Sequence, residues 1–224
     1  SKVCVMKNLN EKIDNFIYEN NDRIDKIVNE KSEVIIDIDE ISLKGNHNLE
    51  NVLFIIGIGK ILNIPNEVIS QFLKTTKALE HRLENFFLKQ NTLFINDSKG
   101  TNVESTIKAI EAFKNRIVLI AGGENKKICN EELIKKINER VGFVYLIGET
   151  GTILAEEMNK VGYKKYKNLG TLEKVLLDIK QNIDFEDSQT ILFSPATASF
   201  DQFKNFEERG RIFKELTNKI LGEK

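Results

Sequence analysis

The sequence predicts an α/β protein with a mainly parallel sheet that is covered by helices on both faces. From about residue 79 onward, short strand-like runs alternate with helical runs of roughly 10–15 residues, which is the order of parallel strands joined by crossover helices. The segments "IVLIAGG" and "TILFSPA" are almost continuously apolar, as strands buried on both sides are. Both observations favour a single sheet between two layers of helices.

The alternation assigns an element to each part of this region. Strands are predicted at residues 83–88, 92–95, 117–121, 143–147, about 163–167 and 190–193. Helices are predicted at residues 103–114, 131–140, 152–161, 171–183 and about 201–221. The region is predicted to begin near residue 79, inside "TKALEHR".

Residues 1 to about 46 have weaker patterning, in which no complete core is visible, and two predicted helices after them close a smaller N-terminal piece. The segment "NEKSEVIIDIDEISLKG" alternates apolar and acidic residues, as edge or hairpin strands do, and the polar stretch before it is expected at a sheet periphery or in loops. A helix follows in "HNLENVLFIIGIGKILNI", where Val52, Ile56 and Gly59 recur at helical spacing. A second helix is predicted with Pro65 in its first turn.

Composition limits the classes of function. The chain has 224 residues, of which 41% are hydrophobic and 30% charged, and its net charge is −1. These values allow a core and do not indicate a general nucleic-acid surface. Two cysteines and two histidines predict neither a disulfide framework nor a structural zinc site. No run approaches the roughly 18 apolar residues of a membrane span, and the N-terminal residues lack an apolar signal core, so we expect a cytoplasmic protein.

Polar residues are concentrated after three of the predicted strands. Asp97, Lys99 and Thr101 follow the second strand, "GGENKK" with Lys126 follows the third, and "SPATAS" with Ser199 follows the last. The carboxyl ends of parallel strands meet at one edge of a sheet, and ligands of open α/β sheets bind beyond that edge. The three segments therefore predict one candidate site.

The first of these segments also has a purely structural interpretation. Thr101 and Glu104 match a capping box, in which the threonine oxygen accepts a helix N–H and the glutamate reaches back. Asp97 and Lys99 fit a solvated turn, but a carboxylate can also accept two ribose hydroxyls, and a lysine beside a helix start can hold phosphate or carboxylate. The pattern alone leaves both interpretations open.

The other two segments are ambiguous in the same way. The paired glycines of "AGGENKK" let a ligand approach the backbone or merely turn the chain, and Lys126 also fits a surface lysine. No G-x-x-x-x-G-K-[ST] phosphate loop and no helix-opening G-x-G-x-x-G run is present. In "FSPATASFDQF" small residues leave room for a ligand before a helix start that favours a carboxylate, whereas the alternative is a capped helix with Phe200, Phe203 and Phe206 packed on the sheet. Arg82 adds a cation that suits phosphate.

Six segments together resemble the bacterial Mur ligases, and among them the enzymes that add D-glutamate to UDP-N-acetylmuramoyl-L-alanine. The segments are "KGNHNLEN", "HRLE", "INDSKGTN", "IAGGENK", "LIGE" and "SPATASFDQFKNFEERGRIFKEL", in the family's order from about residue 44 to 216. The last of them, together with "NDSKGTN", is the most specific. An Asp-Asn-Pro-Arg motif, typical of the related ligase that adds a diamino acid, is absent from the sequence.

The resemblance implies a fold and a division of the chain. Family members have a UDP-substrate domain, a central ATP-binding domain and a C-terminal Rossmann-like domain. Residues 1–78 then correspond to the end of the central ATPase-type domain, and residues 79–224 to the C-terminal domain. Because the first domain and the phosphate loop of the central domain are not in this sequence, we expect a ligase fragment that is inactive by itself.

The resemblance also implies a mechanism and its partners. The L-alanyl carboxylate takes the γ-phosphate of ATP, the amine of D-glutamate attacks the acyl phosphate, and a tetrahedral intermediate expels phosphate. Lys99 and Lys126 are the implied catalytic cations, and Mg²⁺ is the implied metal, with its ligands expected mainly outside this sequence. The implied substrates are ATP, D-glutamate and UDP-N-acetylmuramoyl-L-alanine. We expect a monomer, with neither nucleic acid nor a membrane as partner.

Residue roles follow from the matched motifs, position by position. The resemblance implies that four residues contact ATP, namely Asn48, Asn51, Arg82 and Asp97. The two asparagines would lie near the adenine and the aspartate at the ribose. The resemblance implies that six residues contact the D-glutamate carboxylates and the transferred phosphate, namely Lys99, Thr101, Lys126, Ser199, Phe200 and Phe206. The two phenylalanines would do so through their backbone. The sequence departs from the family pattern at three places. Gly100 stands where the family commonly has alanine, Thr197 where it has cysteine, and the pair Glu124-Asn125 where it has an aspartate.

Two other functions stay open. The chain fits a nucleotide- or amino-acid-binding module without catalysis, such as an assembly partner in wall synthesis, or another amide ligase of the superfamily, such as a folylpolyglutamate synthase. The segment "SPATASFDQFKNFEERG" favours the D-glutamate ligase over the folylpolyglutamate synthase. A G-x-x-G-K-[ST] motif encoded upstream would favour it over the binding module.

Overall fold

The computed structural model describes residues 2–6, 14–19, 23–28, 31–42, 46–76, 79–124 and 131–222. Side chains are described in these ranges except at residues 2–34, 38 and 46–50. The chain divides into two compact units, Ser1–Ala78 and Leu79–Lys224. Each unit has an apolar core of its own.

The first unit combines an antiparallel sheet with two helices. Its four strands pair in sequence order and are β1 (Lys2–Met6), β2 (Asp14–Glu19), β3 (Arg23–Val28) and β4 (Lys31–Asp37). A 3-10 turn (Ile38–Glu40) and the helices α1 (Asn46–Ile61) and α2 (Asn66–Thr75) follow. Buried apolar residues join β4 to both helices, and these are Ile35, Ile36, Ile41, Val52, Ile56, Ile69 and Leu73.

Two expectations for the first unit are wrong. The polar stretch expected at a sheet periphery or in loops forms β2 and β3, which are the interior strands of this sheet. Backbone pairing on both sides holds such strands, and local composition does not reveal it. Pro65 lies at the N-cap of α2 rather than in its first turn. Neither position requires the N–H that proline lacks.

The second unit is built on a six-stranded sheet. Its strands are β5 (Glu84–Lys89), β6 (Thr92–Asn96), β7 (Arg116–Gly122), β8 (Val141–Ile147), β9 (Tyr166–Gly170) and β10 (Gln189–Phe193). The order across the sheet is β5-β6-β10-β7-β8-β9, with β5 antiparallel to β6 and all other neighbours parallel. The register places Phe193 opposite Asn96 on one side and Ile120 on the other, so the last strand lies inside the sheet.

Helices cover both faces of this sheet because alternate residues of its strands point to opposite sides. One layer contains α3 (Val103–Glu111), α4 (Glu131–Arg140) and α5 (Thr150–Lys160), and the other contains α6 (Leu172–Asn182) and α7 (Phe206–Leu221). In β7, Leu119 and Ala121 belong to the core under the first layer, whereas Val118 and Ile120 belong to the core under the second. The predicted α/β class, with a mainly parallel sheet and two helical layers, is confirmed.

Most predicted elements of the second unit are present with shifted ends. The helix at Glu131–Arg140 has the predicted bounds, whereas the strand predicted at about 163–167 lies at Tyr166–Gly170. The predicted start of the last helix near residue 201 is wrong, because α7 begins at Phe206 after its cap Asn205, whose side chain accepts the N–H of Glu208 at 2.8 Å. Among the helices of the described residues, none combines the length and apolar character needed to cross a membrane.

Candidate functional site

The carboxyl ends of three neighbouring strands bring the three polar segments to one rim of the sheet. Strand β10 lies between β6 and β7, and backbone hydrogen bonds tie the loops that follow them. The N–H of Ala196 donates to the carbonyl of Gly100 at 2.8 Å, and the N–H of Gly122 donates to the carbonyl of Pro195 at 2.8 Å. The predicted convergence is confirmed for all three strand ends, while residues 125–130 lie outside the described part of the chain.

Asp97 is the buried carboxylate of this rim, with 7% of its surface exposed. Its Oδ1 accepts the N–H of Leu83 at 3.2 Å, and its Oδ2 accepts the hydroxyl of Ser194 at 2.7 Å. Burial raises the pKa of Asp97 to about 6, although both hydrogen bonds, Arg82 and Arg209 favour the charged form. At neutral pH the carboxylate is therefore mostly charged, and each oxygen keeps a lone pair for a further donor.

Arg82 lies in a turn between two residues with left-handed backbone. His81 has φ 66° and Leu83 has φ 41°, a conformation that costs about 1–3 kcal/mol per non-glycine residue and clusters at functional sites. The bond from Leu83 to Asp97 holds one end of this turn, and the N–H of Lys99 donates to the carbonyl of His81 at 3.0 Å at the other. Arg82 itself is exposed. The two predicted ATP residues of this unit are thus linked through the backbone of Leu83.

A small group beside this turn has the composition of a metal site. The ligand atoms of Glu80, His81 and Glu84 lie within 4.8 Å of one another. The ammonium of Lys214 donates to Glu80 at 2.5 Å and to Glu84 at 2.8 Å. Burial lowers the pKa of His81, whose Nδ1 lies 2.9 Å from the amide nitrogen of Asn96. Because a lysine already supplies the positive charge, we assign no metal to this group.

Arg209 joins two of the three loops, and the sequence analysis did not select it. The side chain is fully buried. Its Nε donates to Ser98 Oγ at 3.1 Å and its Nη2 to Ser98 O at 2.8 Å, while its Nη1 donates to the carbonyls of Thr197 at 3.1 Å and Ala198 at 3.0 Å. Burial lowers the pKa of Arg209 to about 10, so the guanidinium remains charged at neutral pH. Its position one helical turn before Phe213, on the apolar face of α7, is a signal that could have found it.

The predicted capping box at Thr101 is wrong. The N-cap of α3 is Asn102, whose side-chain oxygen accepts the N–H of Ser105 at 2.8 Å. Glu104 does not reach back to the cap but pairs with Lys108 at 2.9 Å, one helical turn further on. Thr101 is half-buried and precedes the cap, so helix capping does not account for it. Its predicted contact with a ligand stays a prediction.

Two of the predicted D-glutamate residues are in contact. Lys99 is exposed, and its Nζ lies 5.2 Å from the centre of the Phe206 ring, within the range of a cation–π interaction. The carbonyl of Phe206 accepts the hydroxyl of Ser98 at 2.8 Å. The β6 loop therefore touches the first residue of α7, and it holds an ammonium group at the surface there.

The segment around Ser199 is a turn rather than a helix start. Ser199 is buried, and its carbonyl accepts the N–H of Gln202 at 3.2 Å and of Phe203 at 2.9 Å. Because α7 begins only at Phe206, the helix N-terminus expected directly after Ser199 is not there. Core packing accounts for Phe203, whereas the side chain of Phe200 is 64% exposed.

Three predicted residues are not among those described at the three strand ends. Asn48 and Asn51 lie in α1 of the first unit, where Asn51 is exposed. The side chain of Asn48 and the whole of Lys126 fall outside the described residues. The roles of all three stay predictions.

The fold agrees with comparisons to known proteins. Residues 81–197 match the family described as "Mur ligase, glutamate ligase domain". The chain belongs to the Mur ligase family. A UDP-N-acetylmuramoylalanine–D-glutamate ligase of Fusobacterium nucleatum is 46% identical over 200 residues, which are 88% of this chain and 46% of that protein. The ligase of the same name from Caldicellulosiruptor bescii is 38% identical over 98% of this chain and 48% of that protein. The chain thus spans about half the length of these curated relatives.

Solved structures of Mur ligases and of a related enzyme share the fold. MurF from Acinetobacter baumannii superposes with a TM-score of 0.63 at 17% identity, over 86% of this chain and 42% of that one. A bifunctional folylpolyglutamate synthase/dihydrofolate synthase from Yersinia pestis gives 0.61 at 15% identity, over 90% of this chain and 45% of that one. At such identities the likeness shows the fold alone, so the Mur ligase assignment depends on the sequence matches.

Proposed function

We propose that this chain is part of an ATP-dependent amide ligase that adds D-glutamate to UDP-N-acetylmuramoyl-L-alanine in peptidoglycan synthesis. The observation that carries the proposal is the rim where the β6, β7 and β10 loops meet, in a chain 46% identical to a ligase with that name. That relative favours this reaction over folylpolyglutamate synthesis, because two solved structures with the latter name are only 15% and 16% identical to this chain. No contact among the described residues favours a binding module without catalysis.

The proposed reaction needs positive charge where it develops negative charge. An acyl phosphate forms from the L-alanyl carboxylate and ATP, and attack by the D-glutamate amine gives a tetrahedral intermediate, so oxygens on phosphorus and carbon gain charge. Lys99 fits this need within the described residues, because its ammonium is exposed at the rim. We assign the same role to Lys126 from its motif. Mg²⁺, when bound, would neutralise phosphate charge, and we expect its ligands in the rest of the ligase.

D-Glutamate is assigned to the loops that Arg209 joins. Its two carboxylates would meet the cationic Lys99 and the polar or backbone groups of the other predicted residues, which are Thr101, Lys126, Ser199, Phe200 and Phe206. The contact between Lys99 and Phe206 and the hydrogen bonds from Arg209 to both loops support this assignment. The loops would keep a fixed spacing, as selection between two similar amino acids requires.

ATP is assigned to Asp97 and Arg82, with Asn48 and Asn51 near the adenine. A charged carboxylate that keeps a lone pair on each oxygen can accept both hydroxyls of a ribose. The link through Leu83 supports a joint role for Asp97 and Arg82. The sequence contains no G-x-x-x-x-G-K-[ST] loop, so we expect no turnover from the chain alone. We propose that the complete ligase acts as a cytoplasmic monomer.

Substrate dependence of the complete ligase tests the reaction. We expect phosphate release from ATP to require both UDP-N-acetylmuramoyl-L-alanine and D-glutamate. L-Glutamate in place of D-glutamate should give little release and serves as the matched control. Turnover with a folate and L-glutamate, without the UDP-linked substrate, would contradict the proposal.

Kinetics of variants of the complete ligase test the residue assignments. Ser199→Ala and Lys126→Gln should each raise the KM for D-glutamate about tenfold or more, the loss expected for one hydrogen bond to a charged group. Lys108→Gln, on the exposed face of α3, is the control and should leave that KM unchanged. Normal D-glutamate kinetics for both site variants would contradict the assignment. Asp97→Ala should weaken ATP more than D-glutamate, and equal losses would count against its ribose role.

A further inference from the structure

Ser194 links Asp97 to a helix through a chain of buried hydroxyls. Its Oγ donates to Asp97 Oδ2 at 2.7 Å and lies 2.9 Å from Oγ1 of Thr106. A carboxylate is a stronger acceptor than a hydroxyl, so the one proton of Ser194 goes to Asp97, and the hydroxyl of Thr106 donates to Ser194. The direction of the hydrogen bonds therefore runs from α3, through the end of β10, to the β6 loop.

The surroundings leave this chain little freedom. Ser194 and Thr106 are both fully buried, and the N–H of Asp97 donates to the carbonyl of Phe193 at 2.8 Å, next to Ser194. A Cβ at Gly100 would lie 2.6 Å from both Asp97 Oδ2 and Ser194 Oγ, so the glycine provides the space that the hydrogen bond occupies. The hydroxyl of Ser194 is thus held in place when it meets the carboxylate.

We propose that Ser194 is a positioning residue, whose hydroxyl fixes the Asp97 carboxylate in the orientation and charge state that accept the ribose hydroxyls of ATP. The inference rests on the ribose role proposed above for Asp97. The second oxygen of Asp97 is held by the N–H of Leu83 at 3.2 Å. With both oxygens held, the carboxylate plane is fixed and its remaining lone pairs point in set directions. Without the serine hydroxyl, one oxygen is released and the plane can turn.

The pH dependence of ATP binding separates positioning from packing. The charged groups that act on Asp97 are Arg82, from the turn before β5, and Arg209, from α7, and both favour its charged form. Both remain when Ser194 is replaced. Loss of the hydroxyl donor should move the pKa of Asp97 upward from about 6, so ATP binding should fail at a higher pH on acidification. If replacing Ser194 only left a void and did not affect Asp97, the pH dependence of ATP binding would not change.

The test compares ATP with 2′-deoxyATP as substrates of the complete ligase at a series of pH values. For Ser194→Ala we expect a KM for ATP raised about tenfold, a reduced preference for ATP over 2′-deoxyATP, and an acid limb shifted to higher pH. Ser194→Thr retains the hydroxyl and should restore most of the preference. The matched control is Ser188→Ala, an exposed serine just before the opposite end of β10, which should change none of these values.

Each outcome decides between the two proposals. A wild-type ligase with no preference for ATP over 2′-deoxyATP would contradict the ribose role of Asp97 and, with it, the positioning role. A wild-type preference that Ser194→Ala retains in full, with an unchanged pH profile, would overturn the positioning role alone. If Ser194→Ala does not fold, Thr106→Val keeps the serine hydroxyl but removes its support. We then expect a smaller upward shift of the acid limb, and no shift would overturn the inference.

Discussion

Replacing Arg209 by lysine should loosen the rim although the positive charge is kept. The guanidinium donates from three nitrogens to two loops, which it reaches at Ser98 on one side and at Thr197 and Ala198 on the other. A lysine has one nitrogen on a flexible stem and cannot reproduce this planar fork. It can therefore serve one loop but not both.

The size of the effect follows from which acceptors lose their donor. The carbonyl of Ala198 also accepts the N–H of Glu124 at 3.0 Å, so it keeps a partner. The loss therefore falls on the carbonyl of Ser98 or of Thr197, and a buried polar group without a partner costs about 1–3 kcal/mol. Burying an ammonium, which is more strongly hydrated than a guanidinium, adds to this. We expect Arg209→Lys to lower the free energy of unfolding by about 2–4 kcal/mol, or the Tm by roughly 5–15 °C.

A second variant separates geometry from charge. Burial lowers the pKa of Arg209 to about 10, which means that the folded state disfavours its charge. Arg209→Met removes that cost but leaves the buried carbonyls of Ser98 and Thr197 both without a donor, so it should destabilise the protein at least as much as Arg209→Lys does.

Urea and thermal unfolding of the 224-residue chain measure both variants. Arg211→Lys, at an exposed position two residues further along α7, is the control and should stay within about 0.5 kcal/mol of the wild type. A loss below about 1 kcal/mol for Arg209→Lys would refute the reasoning. So would a methionine variant that is more stable than the lysine variant.

Three further predictions concern stability. Burial raises the pKa of Asp97 from 3.8 to about 6, so the folded state binds this proton more tightly than the unfolded state does. In urea unfolding, the stability of the wild type relative to Asp97→Asn should therefore fall by about 2–3 kcal/mol as pH rises from about 4 to 6, and a difference that does not change with pH would contradict this. Gly148→Ala and Gly162→Ala both place alanine at positive φ, but only a Cβ at residue 148 would overlap other atoms, namely Asp201 Oδ2 and the backbone of Gly123. Gly148→Ala should therefore be less stable than Gly162→Ala by about 1–3 kcal/mol, and equal losses would refute the clash. In thermal unfolding, Asn102→Ala should lower the free energy of unfolding by about 1 kcal/mol, and Thr101→Ala by less than about 0.5 kcal/mol. A larger loss for Thr101→Ala than for Asn102→Ala would indicate that the threonine is the cap.

Much of the second unit was predictable because its elements have different periodicities. A strand such as β7, buried on both faces, is apolar at nearly every position, whereas a helix such as α4 is apolar every third or fourth residue. The first unit was less predictable, since β2 and β3 carry polar residues and exist through pairing with their neighbours. The cap of α3 was misplaced because Thr101 and Asn102 are adjacent and both can cap. Which of the two caps the helix is decided by the residue at which α3 starts when it packs on the sheet.

By itself the sequence determined the α/β class, the three polar segments at strand ends and the membership of the Mur ligase family, because periodicity and motifs are local properties of a chain. Only the tertiary structure decided which of those groups touch. The hydrogen bond from Ser194 to Asp97 joins residues 97 positions apart, and the one from Arg209 to Ser98 joins residues 111 positions apart. Both contacts exist because β10 inserts between β6 and β7 and so brings the ends of distant segments together. That strand order results from the packing of the whole sheet, and no local pattern encodes it.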